Sequence, residues 1–210
     1  MTRIGLIRHG ETDWNREHRI QGRTDVPLNE RGREQARWTA GALRSGTWDA
    51  VYTSPLSRAF ETAQIIAEVL ELPAPRPLDA LTERNYGAAE GLTGAELDAA
   101  YPAGSSVPGR ESRADAAARV IPSLHELARF HPGGSVLVVS HGGLIRSLLM
   151  AIEPAEGLHH SEPITNGSLH SIHHHDGVLS LVTFDEQLVA PGDEDITEQN
   201  AVEGREPSRA

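Results

Sequence analysis

"SVLVVSHGGLIRSLL", residues 135–149, decides how the rest of the chain is read. Val136 to Val139 are continuously apolar, without the polar alternation of a half-solvated sheet. The stretch therefore predicts a strand buried on both faces of a parallel sheet. It ends on Ser140, His141 and two glycines, and a helical pattern follows over 143–152. A strand that passes through a tight glycine turn into a helix is the repeating unit of an α/β fold.

The same unit opens the chain. In "RIGLIRHGE", residues 3–11, an apolar strand over 3–8 also ends in His-Gly, and Arg8 and His9 stand where no core residue would be expected. Between the two strands, a helix is expected over 30–44, capped by Asn29. A short strand over 49–54 and a helix from Pro55 to Leu70 follow, with the proline in the first turn. A further helix is expected over 114–130, with Pro122 a candidate kink. "GSLHSIHHH" (167–175) and "GVLSLVTFD" (177–185) read as a late hairpin. This alternation predicts a three-layer α/β/α sandwich with a mostly parallel central sheet, built as a single domain over 1–185.

Composition agrees. With 210 residues and 38% hydrophobic content, the chain is long enough for one sizeable domain. A net charge of −11 argues against a nucleic-acid surface. No stretch has the apolar length of a membrane span or the pattern of a signal peptide. The lack of cysteine removes disulfides and thiolate metal sites, so a cytoplasmic protein is expected. Residues 185–210 carry eight acids against Arg205 and Arg209. With little apolar periodicity, residues 186–210 are expected to form an acidic C-terminal tail. Every basic side chain is an arginine; there is no lysine.

In open α/β sheets, ligands bind beyond the carboxyl ends of the strands. If the strands at 3–8 and 135–140 are neighbours, His9 and His141 face each other there. "YTSPLSRAFETA", 52–63, brings Arg58 to the same edge in the first turn of its helix. Two arginines, two histidines and the free N–H groups of glycine turns suit a compact dianion. A neutral imidazole among them is a nucleophile at pH 7. The residues alone thus suggest a phosphate pocket with a histidine nucleophile.

"LIRHGETDWN" (6–15), "YTSPLSRAFETA" (52–63), "LTERNYGAAEGLT" (81–93) and "VVSHGGLIRSLL" (138–149) together resemble the histidine phosphatase superfamily, in the branch of cofactor-dependent phosphoglycerate mutases and related phosphatases. The resemblance runs from about residue 4 to 170 and implies a phosphoglycerate mutase-like fold. It implies that His9 becomes phosphohistidine and that Arg8, Arg58 and His141 hold the phosphoryl oxygens. Glu83 would be the general acid, with a raised pKa, and Glu90 is the acid most easily confused with it. Asn15, Gln21 and Gly22 would line the rim, and Arg84, Tyr86 and Gly142 would also bind substrate. Asn166, in "ITNGSLH" (164–170), would lie near the pocket. The resemblance implies no metal.

The fate of the phosphohistidine divides the expectations. True mutases grip a carboxylate and a second phosphate with a lysine and a pair of adjacent arginines after the "ERxYG" segment. Arg84 and Tyr86 are present here, but the lysine and the arginine pair are not. "PGRES", 108–112, resembles the "PGGES" of small phosphatase members. The resemblance therefore implies a phosphatase acting on a small phosphorylated substrate without a cofactor. A mutase dependent on 2,3-bisphosphoglycerate is the alternative. A phosphoprotein phosphatase and a phosphoryl-binding module without turnover are the remaining ones. The family often dimerises, which leaves a homodimer open. His159, His160, His170 and His173 to His175 are expected to be solvated, because adjacent residues on a strand point to opposite faces and do not converge on one ion.

Overall fold

The computed structural model describes residues 1–153 and 162–186. Six strands form one sheet: β1 (Thr2–Arg8), β2 (Ala50–Thr53), β3 (Arg76–Pro77), β4 (Ser135–Ser140), β5 (Leu169–His175) and β6 (Val178–Glu186), in the order β3-β2-β4-β1-β5-β6. The first four run parallel to one another; β5 and β6 add an antiparallel hairpin at one edge. The helices are α1 (Asp13–Arg16), α2 (Glu30–Leu43), α3 (Ser57–Val69), α4 (Gly94–Ala100), α5 (Arg113–Phe130) and α6 (Gly142–Ile152).

The continuous apolar strands feed two cores at once, because neighbouring side chains on a strand point to opposite faces. Ile4, Leu6, Val136 and Val138 join one cluster with Leu124 of α5 and Leu144 and Leu148 of α6. Ile7, Leu137 and Val139 join the other with Ala40 and Leu43 of α2 and Ala59, Ala63 and Ile66 of α3. A sheet dry on both faces between two helical layers is the sandwich that the sequence predicts. No helix among the described residues is long and apolar enough to cross a membrane.

β1 and β4 are direct parallel neighbours, with Arg8 opposite Ser140. The next residue on each strand is His9 and His141, so the register carries both to one edge. The loop after His9 lies directly on the start of α2. A Cβ at Gly10 would overlap the Gly32 carbonyl, and one at Gly32 would overlap the Glu11 carbonyl.

Some boundaries differ from expectation. α3 begins at Ser57, so Pro55 precedes the helix and does not sit in its first turn. α5 runs unbroken through Pro122. β6 reaches Glu186, one residue past the expected domain end; the rest of the acidic tail, like His159 and His160, lies outside the described residues. The histidines of β5 are less solvated than expected. His170 is buried against Ser168 and Phe184, His173 and His174 are half-buried, and only His175 is exposed.

Candidate active site

His9, His141, Arg8, Arg58 and Glu83 are all at most 3% exposed, and they meet beyond the ends of β1 and β4. The two imidazoles pack edge to face, with ring centroids 5.1 Å apart. His9 Nδ1 lies 2.7 Å from the Gly10 carbonyl, which can only accept, so Nδ1 carries the hydrogen of the neutral ring. Nε2 then holds the lone pair, and Arg58 Nε–H donates to it at 3.2 Å. Burial, then the charges of Arg58 and Arg8, hold the His9 pKa well below the ordinary 6.5. The ring is therefore neutral and nucleophilic at pH 7.

Each partner is fixed by backbone. Arg8 Nη1 donates to the Ile164 carbonyl at 2.5 Å, and a Cβ at Gly142 would sit against the Arg8 guanidinium. Arg58 donates from its terminal nitrogens to the Thr24 and Gly22 carbonyls at 2.9 and 2.7 Å. The Gly10 N–H donates to Thr62 Oγ1, one turn along α3 from Arg58, and Asn166 Nδ2 donates to the His9 carbonyl. His141 differs from its neighbour. Both its ring nitrogens are buried without a hydrogen-bond partner among the described residues, and burial followed by the Arg58 charge lowers its pKa well below 6.5.

Glu83 sits on the N-terminus of α6. Its carboxylate accepts from the Arg84 N–H at 2.7 Å and from the Gly143 N–H at 2.9 Å. A Cβ at Gly143 would overlap the Tyr86 hydroxyl and crowd the Glu83 carboxylate, so only glycine allows this approach. Arg119 of α5 braces the segment from behind, donating to the Glu83 carbonyl while paired with both oxygens of Glu111.

The residues expected at the rim are buried. Asn15 closes a capping box with Thr12, whose hydroxyl also meets Gln21 Oε1 at 3.0 Å. Arg84 is 1% exposed, stacks over the Tyr86 ring and donates to the Glu111 carbonyl. Thr12, Thr62 and Gly143 were not picked out from sequence. The capping pattern Thr12–Asn15 was a legible signal; the other two depend on which segments meet in space.

Residues 4–187 match the model of the histidine phosphatase superfamily (branch 1). The chain is 40% identical over 172 residues to an uncharacterized phosphatase, PhoE, of Bacillus subtilis, covering 82% of this chain and 88% of that protein. It is 35% identical over 167 residues to a 2,3-bisphosphoglycerate-dependent phosphoglycerate mutase of Gloeobacter violaceus, covering 73% and 76%. A mycobacterial glucosyl-3-phosphoglycerate phosphatase, solved with VO3, superposes with a TM-score of 0.76 at 32% identity, covering 87% of this chain and 98% of that one.

Proposed function

The chain belongs to the histidine phosphatase superfamily and is an enzyme of its phosphatase type; from that premise we propose that it hydrolyses small phosphomonoesters through a phosphohistidine on His9. The observation that carries the proposal is the His9 ring, neutral, with its lone pair on Nε2 beside the Arg58 guanidinium. Arg8, Arg58 and His141 bind the phosphoryl oxygens and stabilise charge that spreads over them in transfer. As the phosphate docks, Arg58 Nε–H turns from Nε2 to a phosphoryl oxygen. Nε2 attacks phosphorus, the P–O bond to the leaving group breaks, and Glu83 gives its proton to the departing alkoxide. Water then attacks the phosphohistidine and loses a proton to Glu83. The P–N bond breaks, phosphate leaves, and neutral His9 is restored.

Two features favour water over a second phosphoryl acceptor. The chain has no lysine, and no pair of adjacent arginines follows the mutase-like segment at 81–93. The guanidiniums supply the positive charge, so turnover is expected to survive chelation by EDTA. The test is phosphate release from p-nitrophenyl phosphate, 3-phosphoglycerate and sugar phosphates. Conversion of 3- to 2-phosphoglycerate is followed in parallel, with and without 2,3-bisphosphoglycerate. Release with little isomerisation is expected; isomerisation that needs the bisphosphate would replace this function with the mutase.

A further inference from the structure

Glu90 is the acid that sequence confuses with Glu83, and its surroundings give it a separate task. Its Oε1 accepts from the backbone N–H of Arg23 at 3.0 Å and of Tyr86 at 3.1 Å. Its Oε2 accepts from the Thr24 N–H at 2.9 Å and the Thr24 hydroxyl at 2.6 Å. One half-buried carboxylate thus pins the 22–24 loop to the start of the turn at Tyr86. Gly22 lies directly on it: φ is +54°, and a Cβ there would overlap the carboxylate. The carbonyls of this loop, at Gly22 and Thr24, receive both terminal nitrogens of Arg58, and Arg58 Nε–H reaches His9 Nε2.

We propose that Glu90 is a positioning residue for phosphoryl transfer, holding through the 22–24 loop the guanidinium that addresses the reacting nitrogen of His9. The proposal rests on His9 being the nucleophile. A carboxylate suits the task because it accepts on both oxygens, and charge-assisted bonds are the stronger kind. An amide would offer one acceptor oxygen and turn N–H groups toward the Thr24 N–H. A loop so released no longer fixes the two carbonyls that aim Arg58, and a misplacement of about 1 Å near a reacting centre can cost roughly 10²-fold in rate.

The discriminating readout is pH. His9 is faced by Arg8 at the end of β1, Arg58 of α3 and His141 before α6. Of these, Arg58 is held by two carbonyls of the 22–24 loop; Arg23 of the same loop also donates from Nε to the Glu83 carbonyl at 3.3 Å, but the charges that lower the His9 pKa are those of Arg58 and Arg8. Arg58 contributes to the low pKa of His9. Loosening it lets that pKa rise, and the acid limb of kcat/KM moves to higher pH. Glu90→Gln and Thr24→Val are assayed on p-nitrophenyl phosphate across the acid range, with thermal melts and His9→Ala as the blank. In folded Glu90→Gln, kcat is expected to fall by roughly 10²-fold, with a smaller rise in KM and an acid limb shifted upward. Thr24→Val, which removes one hydroxyl, shifts both in the same direction by less. Wild-type kcat in folded Glu90→Gln, or a fall with the acid limb unmoved, overturns the proposal. So does an unfolded Glu90→Gln beside a folded Thr24→Val with wild-type kcat and limb. Residual turnover in folded His9→Ala would instead sink the nucleophile assignment.

Discussion

Two pairs of histidine rings in this protein share one geometry. His9 and His141 pack edge to face with centroids 5.1 Å apart; His125 of α5 and His174 of β5 do the same, also at 5.1 Å. Only the first pair has guanidiniums on it, with Arg58 bonded to one ring and Arg8 beside them, and Glu83 on the helix that His141 caps. The second lies half-buried between a helix and a strand, near His175 and Asp176. A ring-on-ring contact does not make a site. The surroundings convert an imidazole into a nucleophile, and they are assembled from stretches of chain far apart in sequence.

The sharpest way to break the comparison is to delete one ring from each pair. His9→Ala is expected to lower kcat on any phosphomonoester by about 10⁴-fold or more, because the bond-forming atom is gone. His174→Ala should leave kcat at the wild-type value. Comparable losses from both, in folded protein, would mean the two pairs had been distinguished wrongly.

The acid comes next, since the first pair has Glu83 seated on the N-terminus of α6. Glu83→Gln keeps the bond from the Gly143 N–H but cannot cycle a proton. Hydrolysis of alkyl phosphates is expected to drop by about 10²- to 10⁴-fold. p-Nitrophenyl phosphate, whose leaving group needs little protonation, should lose much less. Equal losses on both substrates would place Glu83 in binding and leave proton donation to another group. Arg58→Gln removes the charge that sets the first pair apart. Its expected cost is about 10²- to 10³-fold in kcat, of the size found when a preorganised donor to transition-state charge is lost. The acid limb of kcat/KM should rise toward 6.5, because Arg58 is the largest cause after burial of the low His9 pKa.

How much of this was legible follows from the same contrast. The repeated strand–His–Gly unit predicted that His9 and His141 face each other if their strands are neighbours; β1 and β4 are neighbours, and the register places Arg8 opposite Ser140, so His9 meets His141. Arg58 followed from the topology, since the end of β2 lies beside β4. The short elements were missed, because α1 and β3 span too few residues to show a period. α4 did carry a sign, the capping box from Thr93 to Glu96. What sequence could not supply was burial at the rim. Asn15 and Gln21, expected at the rim, and Arg84, expected to bind substrate, are enclosed, because the 81–93 segment folds over the 20–24 loop. Their partners, Thr12, Tyr86 and Glu111, identify themselves only once those segments meet.

The smallest expected effect concerns what the two pairs share. The pKa values of His9, His141 and His174 all lie below the ordinary 6.5, each with burial as the leading cause. Below 6.5 the unfolded chain binds protons at these rings and the folded chain does not. Protonation therefore favours unfolding, and stability present above 6.5 is lost as pH falls. A fully buried ring that stays neutral contributes up to about 1.4 kcal/mol per pH unit to that slope. Urea unfolding at about pH 7.5 and about pH 5.5 should show wild type losing stability at the lower value. His141→Asn, whatever its absolute stability, should lose less between the two. His174→Asn should differ from wild type only slightly, because that ring is only half-buried and its lowering is the weaker. Equal flattening by both substitutions would mean that the outer pair is as costly to protonate as the inner one. Burial would then be no part of what separates the site from its look-alike, and the distinction would rest on Arg8, Arg58 and Glu83 alone.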